Sequence, residues 1–280
     1  MKKVITAVVI FLITFNSAEA GSHRSFSQKP LVVAVGEAKL TLMLTQLQMD
    51  AVAAGNSNVY SFNIKLNLSN VNSAALNFLY AQYLRCGNFL LTVYDISINN
   101  TLNETRSYRN AIITEFSLPS LDIGSHEAGE IVLKLKASTV STKAGNGEKQ
   151  AFKIMGKSVS VSNFKMQLDN LPGNRISTIS KISFKNLSPS QRCDSISDIT
   201  IKVIQADAQP WRDWFDSRVN GITRKSGTIQ FLAPNMTDVI ATVRIIDAVI
   251  VSYASSSSGE NQVQRATVVL KVKNAELKFE

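Results

Sequence analysis

Cysteine and histidine are nearly missing from this chain of 280 residues, which holds two of each. His23 and His126 are far apart and neither starts a ligand-spaced cluster, so the pattern does not describe a zinc site. There is no Gly-x-Ser-x-Gly elbow and no glycine loop of the phosphate-binding kind, which argues against a serine hydrolase of that type and against nucleotide chemistry. Past the first fifteen residues no apolar run is long enough to cross a bilayer as a helix. Nothing in the chain assembles a catalytic constellation, and no cofactor or metal is expected. The reading is of a protein that is not an enzyme.

What is present is globular in character. Hydrophobic residues make up 45% and charged residues 18% of the chain, a balance that supports packed cores. The formal net charge is +9. Lys134, Lys136, Lys202, Arg244, Lys271 and Lys273 alternate with apolar residues, as on the solvated face of strands, so no specific nucleic-acid partner is expected.

The N-terminus reads as a secretory signal peptide over 1–20. Met1-Lys2-Lys3 is a basic start, 4–15 is apolar, and Ala18-Glu19-Ala20 is a small-x-small site that places cleavage between Ala20 and Gly21. The mature protein is expected to be extracytoplasmic, either periplasmic or secreted, with no transmembrane segment. That setting permits a disulfide between Cys86 and Cys193; the alternative is two free thiols.

A repeat organises the rest. At an offset of 137 residues three apolar runs and one phenylalanine fall into register without a gap. Phe62-Asn63-Ile64-Lys65-Leu66 meets Ile199-Thr200-Ile201-Lys202-Val203, and Phe78 meets Phe215. The run from Ala111 to Phe116 meets that from Ala248 to Tyr253, and the run from Ile131 to Lys136 meets that from Val268 to Lys273. The expected organisation is a first domain over 21–140, a linker over 141–151 rich in Gly, Asn and Lys, and a second domain over 152–280.

Alternation predicts strands at 31–35, 40–49, 62–68, 89–98, 109–117 and 130–139, with a turn at 53–58. The second half repeats the pattern at 159–168, 176–184 (bulged, because the spacing slips), 199–203, 228–232, 239–253 and 263–279. A flexible hairpin loop is expected at 255–259. One helix is predicted per half, at 74–84 with Ser73 as cap, and from Pro210 to Gly221. Trp211, Trp214, Phe215 and Val219 share one helical face, so both tryptophans read as core rather than as a sugar-stacking platform. Asp213 and Asp216 beside them suit a solvated face better than an acid/base pair. Asn67, Asn99, Asn103, Asn186 and Asn235 lie in Asn-x-Ser/Thr triplets. The fold class is therefore mainly β, as two tandem antiparallel sandwich or barrel domains, each with one short flanking helix.

Residues 157–279 resemble the tail tube proteins of contractile phages. The resemblance rests on Val161-Ser162-Asn163-Phe164-Lys165-Met166-Gln167-Leu168, the turn Leu171-Pro172-Gly173-Asn174, the strand Ile179-Ser180-Lys181-Ile182-Ser183-Phe184, and the Trp211–Phe215 helix between strands. The first half joins it through the repeat. In that family, and in the related Hcp-like proteins of type VI secretion, such domains close into hexameric rings that stack into tubes. The resemblance implies a structural, ring- or tube-forming homo-oligomer, with other envelope proteins as further partners. Two fused domains would fill two of six places, so three chains would close a ring. A monomeric extracytoplasmic binding module for carbohydrate or protein is the competing reading.

Overall fold

The computed structural model describes residues 31–35, 40–54, 57–68, 73–97, 99, 101–149, 159–173, 175–186, 195–255 and 264–280. The expected signal segment with Ala20 and Gly21, His23, Cys193 and positions 256–259 of the expected hairpin loop lie outside them. The chain is mostly β. Its strands are β1 (Leu31–Val35), β2 (Leu40–Leu44), β3 (Gln46–Ala54), β4 (Ser57–Asn67), β5 (Phe89–Ile96), β6 (Leu102–Leu118), β7 (Leu121–Asp122), β8 (Glu130–Ala137) and β9 (Thr139–Ala144). They continue with β10 (Phe164–Leu168), β11 (Ile176–Ile179), β12 (Ile182–Lys185), β13 (Ser195–Ile196), β14 (Ile199–Ile204), β15 (Lys225–Leu232), β16 (Val239–Ser255) and β17 (Arg265–Phe279). The helices are α1 (Ser73–Leu84) and α2 (Gln209–Asp216).

The described residues group into two compact units. One takes the described residues within Met1–Leu66, Gly87–Thr114 and Leu133–Ile154, the other those within Asn67–Cys86, Glu115–Val132 and Met155–Glu280. Two stretches of the first half, α1 among them, therefore belong to the second unit.

In the first unit the strand order is β2-β1-β5-β6-β8-β4-β3, antiparallel throughout the recorded pairs. Phe62, Ile64 and Leu66 of β4 are buried while Ser61, Asn63 and Lys65 are half-buried, so strict alternation gives one core face. Tyr108 fills the centre. Its ring lies 4.8 Å from Phe62 and 5.3 Å from Tyr60, edge-on to each, and its hydroxyl donates to Met49 Sδ at 3.1 Å. Burial pushes the Tyr108 phenol up, with Arg106 pulling the other way.

The structure departs from the sequence expectation at three places here, the first being the long strand expected over 109–117, which begins at Leu102. The strand expected over 40–49 breaks at Thr45, and β3 runs on to Ala54 into the expected turn. Residues 141–144, expected as linker, are the end of β9 and pair with β6 at Glu104–Arg106 and Ser107. The reason is satisfaction of the main chain: β6 has β5 along one edge, and β9 supplies the hydrogen bonds its other edge needs.

The second unit has the order β10-β15-β16-β17-β14-β11-β7. Setting β1 against β10, β5 against β15, β6 against β16, β8 against β17, β4 against β14 and β3 against β11, six strands follow one path in both units; β2 is added before it in the first and β7 after it in the second. Residues Leu102–Leu118 and Val239–Ser255 correspond at both ends at the offset of 137. Ile64 and Ile201 hold equivalent places and are equally buried, at 1% and 0% exposure.

Both long strands are kinked at the same point. The pairing of β6 with β5 skips between Tyr108 and Ala111; that of β16 with β15 skips between Ile245 and Ala248. Within each skip one residue adopts positive φ, Asn110 at 53° and Asp247 at 54°. Asparagine and aspartate are the side chains that tolerate this region best after glycine. Such bulges sharpen the local twist and let each sheet curl.

Candidate assembly surface

A strand carries hydrogen-bonding groups along both edges, and the second unit shows where the first copy's long strand finds a partner for its tail. Beyond Thr114, residues Glu115, Phe116, Ser117 and Leu118 of β6 run antiparallel to Lys185, Phe184, Ser183 and Ile182 of β12. After Pro119 the chain resumes in the same register, with Leu121 opposite Ile179 and Asp122 opposite Thr178 of β11. Ser117 donates to Glu115 Oε1 at 2.9 Å, and its oxygen lies 2.9 Å from that of Ser183. Lys181 pairs with the nearly buried Glu115 at 3.6 Å.

Helix α1 seals this ladder. Its leucines and tyrosines keep helical spacing, so Leu76, Leu79, Tyr80 and Tyr83 face inward together. Tyr80 meets Phe116 at 5.8 Å and Phe184 at 5.4 Å, both edge-on. Asn77 clamps the end of β17: its Nδ2 donates to the Phe279 carbonyl at 2.7 Å, and the Phe279 N–H donates to its Oδ1 at 3.0 Å. The Tyr80 hydroxyl donates to the Ala275 carbonyl at 3.3 Å, and burial pushes its phenol up to about 12.

The end of β16 has no such cover among the described residues. β17 lies along one edge as far as Ser255, but β15 pairs only as far as Ala248 on the other. Arg218 caps the next carbonyls, donating from Nη1 to Ile250 O at 3.3 Å and Val251 O at 3.1 Å. Its guanidinium also lies 3.5 Å over the Phe215 ring, which in turn meets Tyr253 at 6.1 Å. Residues 252–255 follow with one edge open. Beside them Val219, Ile222 and Val251 are exposed at 91%, 70% and 40%. Val219 was expected on the tryptophan face, but α2 ends at Asp216 and a tighter turn, Ser217–Asn220, swings it outward. In the first unit β3 ends the strand order, and its outer edge is likewise unpaired among the described residues.

Trp211 and Trp214 are core, as expected, at 1% and 4% exposure. Trp214 Nε1 donates to the Thr223 carbonyl at 3.0 Å, and Lys225 sits 5.6 Å over its ring. A shallow cleft of about 280 Å³ lies against them, lined in part by Asn170, Pro210, Asp213 and Thr223. Trp214 lines the cleft but is only 4% exposed, which leaves little of the ring for a sugar to stack on. Asp213 accepts from Gln209 Nε2 at 2.7 Å and Asp216 pairs with Arg212 at 3.6 Å, as on an ordinary polar helix face. His126 is exposed in a loop. No group of three or more metal-ligating side chains occurs among the described residues. Cys86 is disulfide-bonded. No described helix is long and apolar enough to cross a membrane.

Comparison with known protein families finds no match, and comparison with curated proteins finds none. A chain of the cryo-EM structure of the anti-feeding prophage baseplate is similar over 41% of this chain and 89% of its own, at 17% identity and a TM-score of 0.29. At that score the likeness supports no conclusion about this protein.

Two features escaped the sequence. The Asn77 clamp and the Tyr80 contact join residues about 200 apart, which no local pattern reports. The paired bulges were visible in principle: Asn110 and Asp247 stand at the repeat offset, each just before an alanine that begins a matched run.

Proposed function

We propose that the protein is a non-enzymatic structural subunit, secreted or periplasmic, that assembles into rings or tubes through two tail-tube-like domains. The duplicated strand order carries this reading. A fold copied in tandem, with the same sheet path and the same bulge, is built to present the same surface twice. The open edges of β3 and β16 support it, since unpaired N–H and C=O groups in a row invite a further strand. On the tail-tube resemblance, three chains close a ring of six domains. We further propose Cys193 as the partner of Cys86, which suits an oxidising compartment.

Negative-stain electron microscopy of the purified protein tests the assembly, with light scattering across a concentration series beside it. Rings or filaments are the expected result. A protein that stays strictly monomeric at high concentration overturns the reading.

A further inference from the structure

We propose that chains join head to tail by pairing the end of β16, Ser252–Ser255, with the outer edge of β3 at Asp50–Ala53 of a second copy of this chain. The inference rests on the assembly reading above and specifies its surfaces and register.

The duplication itself supplies the argument. Within the second unit the tail of the first copy's long strand, Glu115–Leu118, lies against β12. At the offset of 137 that tail corresponds to Ser252–Ser255. The counterpart of β12 follows from the hairpins. Leu47 faces Ile64 in one copy and Ile179 faces Ile201 in the other; Val52 faces Val59 as Phe184 faces Ile196. Ile64 and Ile201 are equivalent, and so are Val59 and Ile196, so Asp50–Ala53 of β3 stands where Ile182–Lys185 of β12 stands. The internal ladder thus has an unfilled counterpart, with one side on β16 and the other on β3.

The two sides are open among the described residues, and the open stretch starts where the analogy requires. Arg218 occupies the carbonyls of Ile250 and Val251, leaving Ser252 as the first free position, the equivalent of Glu115. The exposed Val219, Ile222 and Val251 flank it and would be covered by the incoming chain. Because the two sides differ, the contact is heterologous and propagates from chain to chain until it closes. The register sets Ser252 opposite Ala53, Tyr253 opposite Val52, Ala254 opposite Ala51 and Ser255 opposite Asp50.

Cysteine pairing tests that register directly. Ser117 and Ser183, the internal equivalents of Ala254 and Ala51, have side-chain oxygens 2.9 Å apart, so cysteines at that pair fall within disulfide reach. Ala51→Cys chains and Ala254→Cys chains are purified separately with the native disulfide intact, then mixed under mild oxidation. A disulfide-linked dimer is expected in the mixture and in neither variant alone. Val219→Asp with Ile222→Asp, both at exposed positions, is expected to keep the melting temperature and raise the dissociation constant of the assembly at least about tenfold. Rings or filaments in the micrographs without the mixed disulfide overturn this interface and leave the assembly reading standing. A monomer throughout overturns both.

Discussion

Trp214 and Tyr80 show how single side chains hold the second unit. Trp214 is buried beside Trp211 with its ring nitrogen satisfied, so Trp214→Ala is expected to cost about 3 to 5 kcal/mol in urea or guanidinium unfolding. A small loss, below about 1 kcal/mol, would mean that the ring is not part of the core. Tyr80 acts through its proton. Its phenol is held at about 12 by burial against an ordinary value of 10. The folded state therefore binds this proton more tightly than the unfolded chain does. The resulting stability is complete below pH 10 and is lost as pH rises from 10 to 12. Tyr80→Phe is expected to flatten that part of the stability-against-pH curve, read from thermal melts, relative to the parent.

At the scale of elements, the matched bulges give a prediction for two distant sites at once. Valine in place of Asn110 or Asp247 puts a β-branched side chain at positive φ, at a cost of about 1 to 2 kcal/mol. Glycine at either position is expected to be nearly neutral. Chemical denaturation should give similar losses at the two sites, because the backbone there is the same; a loss at one site alone would argue against equivalence. Elements were also what the sequence reported best. Alternation located β4, β14, β16 and β17 because each has one dry face, and period two records that directly. It failed at β9, where Ser141–Ala144 is exposed, has no dry face to leave a period, and is a strand through its pairing with β6. It failed again at Val219, where helical spacing was extrapolated past the residue at which α2 tightens.

For the whole molecule, the repeat was legible and its consequences were not. Three runs and a phenylalanine at one offset announced two copies, and six strands of each unit follow one order. No period in the sequence says that α1 and the tail of β6 belong with the second unit, since that depends on which copy supplies the strand that completes the other's edge. The proposed Cys86–Cys193 bond would close a loop of roughly a hundred residues, for which chain-entropy reasoning gives about 4 to 5 kcal/mol. Peptide mapping without reductant should recover the two cysteines linked, and dithiothreitol should lower the unfolding midpoint accordingly.

The ladder between residues 115–122 and 178–185 is written in amides. Apart from Pro119, every residue along it brings the same donor and acceptor, whatever its side chain. The pairing itself therefore survives changes at the exposed positions along it, while Phe116, Leu118, Leu121, Ile182 and Phe184 are held in place by the core they fill.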